Sequence, residues 1–165
     1  MNQTQKNIIE NFIRSLDDFD AALKNVPEES LDWAEHEGEW TVRQVVHHVA
    51  EDCNVYALII ERALATPGSK VVFGEFPGND TWADRLGFGE RPIEPAVELM
   101  HAHRKFLAEL VGHFPDRWDN SVIFFDDEGK ELATSTVKQM TIMLTEHMQE
   151  HTEMLTKIIE TNEHK

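Results

Sequence analysis

Residues 41–60, TVRQVVHHVAEDCNVYALII, decide how this chain folds. Val42, Val45, Val49, Cys53, Tyr56 and Ile60 recur every three or four residues, the period of one helical face. At about 100° per residue they share an arc of roughly 80°. Thr41 and Gln44 form a T-x-x-Q capping box, each side chain placed to satisfy an unpaired backbone N–H at the helix start. Trp40 and Val45 hold the two positions of a hydrophobic staple. The spacing predicts a helix to about Ala65, stopped by Pro67-Gly68. Adjacent His47 and His48 cannot both lie on the apolar arc. His48 falls at its edge and is expected to face inward; His47 falls on the far side and is expected to be solvated. Asp52, one turn after His48, also lies on the buried side, where a carboxylate needs a partner.

Towards the C-terminus, residues 135–160 predict a fourth helix with the apolar stripe Met140, Met143, Leu144, Met154, Leu155 and Ile158. His147 and His151, in EHMQEHTEML (146–155), sit in the middle of that stripe, one turn apart. A single buried imidazole is most simply a hydrogen-bonded core residue. Two on one apolar face each require a partner. The H-x-x-x-H spacing stacks both rings on one side, as a shared metal ion requires. With His48 as the third corner, His48, His147 and His151 are the expected ligands of one divalent metal. Glu51 and Asp52 are candidates to orient a ligand imidazole from outside.

Other candidates carry less. His101 and His103 flank Ala102 and read as surface or core-edge residues. His36 and His113 show no pattern. The methionines of the fourth helix read as core, and Cys53 as a buried thiol. A first helix is expected over roughly 3–25, from Ile8, Ile9, Phe12, Ile13, Leu16, Phe19 and Leu23. Residues 66–91 read as a long loop with a short helical turn at DTWADRL, a segment of the kind that forms lids. A third helix should begin near Pro92–Pro95 and run to about Val111, with Gly112 at its end. SVIFFDDEGKELAT (121–134) predicts a β-hairpin turning at Asp-Glu-Gly rather than a Ca²⁺ loop. The expected fold is an all-α four-helix bundle in one domain, 1–165. It has a long loop between helices 2 and 3 and a short β-hairpin before helix 4.

The 31 acidic and 15 basic residues leave a net charge of −16, which argues against nucleic acid and anionic membrane surfaces as partners. No apolar run is long enough to span a bilayer, and the N-terminal residues lack the pattern of a secretory signal. The single cysteine cannot form an intrachain disulfide and suits a reducing cytoplasm.

GEWTVRQVVHHVAED (38–52), TWADRLGFGERPIEPAVELMHAHRKFLAEL (81–110) and HMQEHTEML (147–155) resemble the DinB/YfiT-like superfamily of metalloenzymes, over about residues 27–159. The resemblance matches Trp40 followed eight residues on by His48, and the late pair His147 and His151. It implies a divalent metal, zinc or nickel, held by these three histidines in a four-helix bundle. The YfiT branch, which this chain resembles most, is linked to bacillithiol S-transfer, and related members to mycothiol-dependent isomerisation. Many members have an aromatic residue where this chain has Glu146.

Three neutral imidazoles leave a metal its full charge and an open position. A small thiol or a water activated there would be the nucleophile, so the protein need supply none. The expected activity is a metal-dependent small-thiol (bacillithiol-type) S-transferase acting on a small-molecule substrate under the 66–91 segment. A metal-dependent hydrolase and a non-catalytic, metal-stabilised helical module are the alternatives. A homodimer through helix faces is compatible with either.

Overall fold

Four long helices carry the architecture of this chain, seen in a computed structural model that describes residues 1–24 and 26–163. Helix α1 spans Gln3–Leu23 and is started by Asn2 and Gln5, which form a second capping box. It ends at Leu23; residue 25, the expected end, lies outside the described residues. Helix α2 spans Val42–Ala65, and the Thr41–Gln44 capping box is present as predicted. The long loop that follows contains strand β1 (Ser69–Val72) and the short helix α3 (Asn79–Arg85). Helix α4 spans Glu94–His113 with Pro95 in its first turn. It runs through Gly112 instead of ending there. A Cβ at Gly112 would make an ordinary van der Waals contact with Ile9 Cδ1 of α1, at 3.5 Å. Strands β2 (Ser121–Phe125) and β3 (Glu131–Thr136) form the expected hairpin, with Gly129 at φ +82° in its turn. Helix α5 spans Val137–Glu163.

The hairpin is part of a larger sheet. β1 pairs with β2 in parallel, Ser69 opposite Val122 through Val72 opposite Phe125. β2 pairs with β3 antiparallel, with a register shift at Phe124/Phe125. Four residues are too short a run for β1 to show a period in the sequence.

α1 packs on α4 and α5, and α2 packs on the same two helices. Around the bundle the order is therefore α1, α4, α2, α5, with consecutive helices α1 and α2 standing diagonally. This differs from a simple up-down bundle, in which chain neighbours touch. The chain must cross one end between α1 and α2, and residues 26–41 do so packed rather than loose. Leu31 is buried there, and the N–H groups of Val42 and Arg43 donate to the carbonyls of Trp33 and Leu31. The consequence for function is that α2 and α5, which carry the candidate histidines, lie side by side.

The core has two parts. One gathers Phe12, Ile60, Leu107, Val111 and Leu144; the other Phe19, Leu31, Val45, Met100, Met148 and Leu155. Arg104 of α4 is buried where they meet, 2% exposed. Its guanidinium donates to the carbonyls of Phe12 (2.9 Å) and Leu144 (2.7 Å) and to Ser15 Oγ (3.2 Å), and lies over the Phe12 ring. One side chain thus ties α4 to both α1 and α5.

Candidate metal centre

α2 presents His48 and α5 presents His147 and His151 to the same point. The three rings offer nitrogens within 4.8 Å of one another, the one such ligand cluster among the described residues. His147 Nε2 lies 3.2 Å from His48 Nε2 and 3.0 Å from His151 Nε2. A ring nitrogen has one in-plane position, either a proton or a lone pair. His147 Nε2 therefore cannot satisfy both neighbours by hydrogen bonding. One cation between the three can. Two metal–nitrogen bonds of about 2.0–2.1 Å at a tetrahedral angle put their nitrogens roughly 3.3 Å apart, close to the spacing seen here. The donor set fits a divalent ion.

The electrostatics agree. Burial, and then the neighbouring His147, lowers the His48 pKa from 6.5 to about 4. Burial, with His147 and His48 beside it, lowers that of His151 to about 3. Burial lowers His147 as well. All three are neutral at physiological pH, the form that binds a metal. The rings meet edge to face, and Trp40 stands edge-on to His48 with centroids 4.8 Å apart. Trp40 Nε1 donates to Asp80 Oδ1 (2.7 Å), which anchors α3 over the site.

Asp52 Oδ2 is 3.4 Å from His147 Nε2 and 3.8 Å from His48 Nε2. It faces the inner nitrogens, where the cation would sit, rather than the outer Nδ1 atoms. Orienting a ring from outside is therefore not what its placement allows. Burial, and then Glu51, raises its pKa from 3.8 to about 6. Glu51 lies on a cavity wall, next along α2.

His47 overturns its expectation. It is 3% exposed, stacked on Phe88 (5.6 Å), with Nε2 3.3 Å from the Arg91 carbonyl oxygen. The segment between α3 and α4 covers the face of α2 that the wheel assigned to solvent. His101 is half exposed and 2.9 Å from Asp20, and His36 is a surface residue beside Glu35. Cys53 is a buried thiol, as expected.

Two cavities meet at His48 and Asn79. One, about 390 Å³, is walled by Val55, Tyr56, Phe73, Phe76 and Trp82 with Glu51 and Asp52. The other, about 740 Å³ and more open, is bordered by His147, His151, Met154, Trp40, Glu39 and Glu150. His147 and His151 are thus at a cavity edge, not in the middle of the core as the stripe suggested.

Residues 11–155 match the model of the DinB superfamily. This chain belongs to that superfamily. A protein of Oceanobacillus iheyensis named as a putative metal-dependent hydrolase is 33% identical over 109 residues, 63% of this chain and 60% of that protein. The chain thus matches about 60% of the length of this curated relative. Among solved structures, YfiT from Bacillus subtilis superposes with a TM-score of 0.73 at 14% identity, covering 99% of this chain and 89% of YfiT. That structure is described as a probable metal-dependent hydrolase with an unusual four-helix bundle topology. The mycothiol-dependent maleylpyruvate isomerase superposes at 0.66 with 13% identity, covering 92% of this chain and 60% of the isomerase. At such identities these two likenesses establish the fold, a DinB-type four-helix bundle.

Proposed function

We propose that this chain is a metal-dependent enzyme that joins the sulfur of a small thiol, of the bacillithiol type, to an electrophilic organic substrate. The observation that carries the reading is the convergence of three neutral imidazoles at the junction of two cavities. Two adjoining cavities suit two reactants. His48, His147 and His151 would hold zinc or nickel, both suited to imidazole donors. A divalent cation there supplies Lewis-acid activation of a thiol or water and leaves a position open for it. Asp52 Oδ2, beside two of the ligand nitrogens, receives the S–H proton as the sulfur–carbon bond forms and returns it to the departing group. The aromatic wall gives the electrophile an apolar surface to rest on.

The relatives named for metal-dependent hydrolysis support a second reading, in which water takes the place of the thiol. The two differ in whether product formation needs a thiol. The purified chain and its His151→Ala variant are analysed for metal after loading with zinc or nickel. Roughly one ion per chain is expected, and little in the variant. The loaded chain is then offered a panel of electrophiles with and without bacillithiol. Conjugates formed only with the thiol support transfer. Turnover that ignores the thiol and yields hydrolysed product overturns it in favour of the second reading.

A further inference from the structure

We infer that the 390 Å³ cavity is a selectivity pocket for a flat, apolar, uncharged or cationic group, and that its own walls, apart from any cation held at His48, disfavour carboxylates and phosphates. The inference rests on the proposed reaction only for what happens after binding.

Its walls are aromatic. Phe76 and Trp82 stand 5.5 Å apart at 54°, and Phe73 stacks on Phe124 at 5.9 Å. Phe73 and Phe76 are 50% and 47% exposed, apolar surface that a bound ring would cover. The walls are also held in place. Asp80, two residues before Trp82, accepts from Trp40, and the N–H of Glu75 donates to Asp127 Oδ2 (2.9 Å). Glu75 adopts φ +44°, an uncommon value for a residue with a Cβ, so this bond fixes the bend between the two phenylalanines. Preformed walls lower the ordering cost of binding.

The charge that the chain itself places on the pocket wall has one sign. Glu51 and Asp52 are its ionisable carboxyl groups, and no lysine or arginine is among its lining residues. An anionic group would enter a low-dielectric cleft against carboxylates, with no cation from the chain to meet it. An ammonium group would meet both the carboxylates and the faces of Trp82 and Tyr56. The net charge of −16 extends the same preference to the approach.

The test uses the ¹⁵N-labelled, metal-free full chain, so that no cation can capture an anionic probe. Benzyl alcohol, benzylammonium and benzoate share one ring and differ in charge. The indole N–H signal of Trp82, assigned with Trp82→Phe, reports binding. Benzyl alcohol and benzylammonium are expected to shift it, with benzoate at least about tenfold weaker. Phe76→Ala should weaken benzyl alcohol several-fold, and Glu51→Gln should narrow the gap between benzyl alcohol and benzoate. Benzoate binding as tightly as benzyl alcohol, or a Trp82 signal unmoved by all three probes, overturns the inference. A zinc titration of the same sample reads the histidine cluster separately. The predicted probe order without zinc binding would defeat the metal reading and leave the pocket standing.

Discussion

Asp52 shows how much one placement on a helix decides. Its carboxyl group reaches the inner side of the histidine cluster, and in the metal-free chain burial, then Glu51, raises its pKa to about 6. If it moves a proton during the reaction, Asp52→Asn should leave metal content unchanged and lower kcat by about 100-fold or more. Elemental analysis beside steady-state kinetics checks both halves. The cluster also makes metal-free stability depend on pH. The pKa values of His48 and His151 are lowered in the fold, so below about 6.5 the unfolded chain binds protons that the folded chain refuses. Stability therefore falls as pH drops from 6.5 towards 4. His47 and His147, also lowered, add to this. Asp52, raised, acts in the opposite direction over part of the same range. Asp20, also raised by burial, adds to that opposition, but four imidazoles outweigh two carboxyls, and urea midpoints of chelated protein should decline across that window. The three cluster histidines were legible from helical spacing alone. His47 was not, although Val46, Ala50, Ala57 and Leu64 extend the buried arc of α2 towards it, and all four are buried. That widening was the available signal.

Among the elements, α2 was the most legible, because its cap and its period both lie within a few residues of sequence. The Thr41–Gln44 box formed as written. Strand β1 was not legible, since its partner β2 lies about fifty residues away and supplies the hydrogen bonds. Arg104 was missed for a related reason. In HAHRKF it looks like any solvent-facing arginine, and only the packing of α1 and α5 around α4 shows that it is enclosed. Its carbonyl partners on Phe12 and Leu144 belong to different helices. Arg104→Ala would leave a cavity and remove one buried donor from each of those carbonyls and from Ser15 Oγ, which keeps its own bond to the Phe12 carbonyl. We expect a loss of about 3 kcal/mol or more, read from the urea midpoint. Because Leu144 precedes His147 by less than a turn, the same variant should also weaken zinc binding, read by titration of the folded fraction.

Across the whole molecule, the helices close around two apolar clusters that contain none of the three candidate ligands. The fold is therefore expected not to depend on a cation. A chelator should leave helical circular dichroism unchanged within a few per cent while lowering Tm, since a ligand of the native state alone stabilises by mass action. A large loss of helicity would instead point to a structural metal and the non-catalytic alternative.

The sequence alone determined the four long helices, the cap of α2, the hairpin and one inward arc of α2, with His48 at its edge. These follow from local spacing, and a helix reports its own period. Tertiary structure decided what the spacing could not: the diagonal placement of α1 and α2, the burial of His47 and Arg104, and the pairing of β1. It also set the cavities on either side of His48. Each of these depends on groups far apart in the chain, and whether a face meets water or another element is settled only when the elements pack.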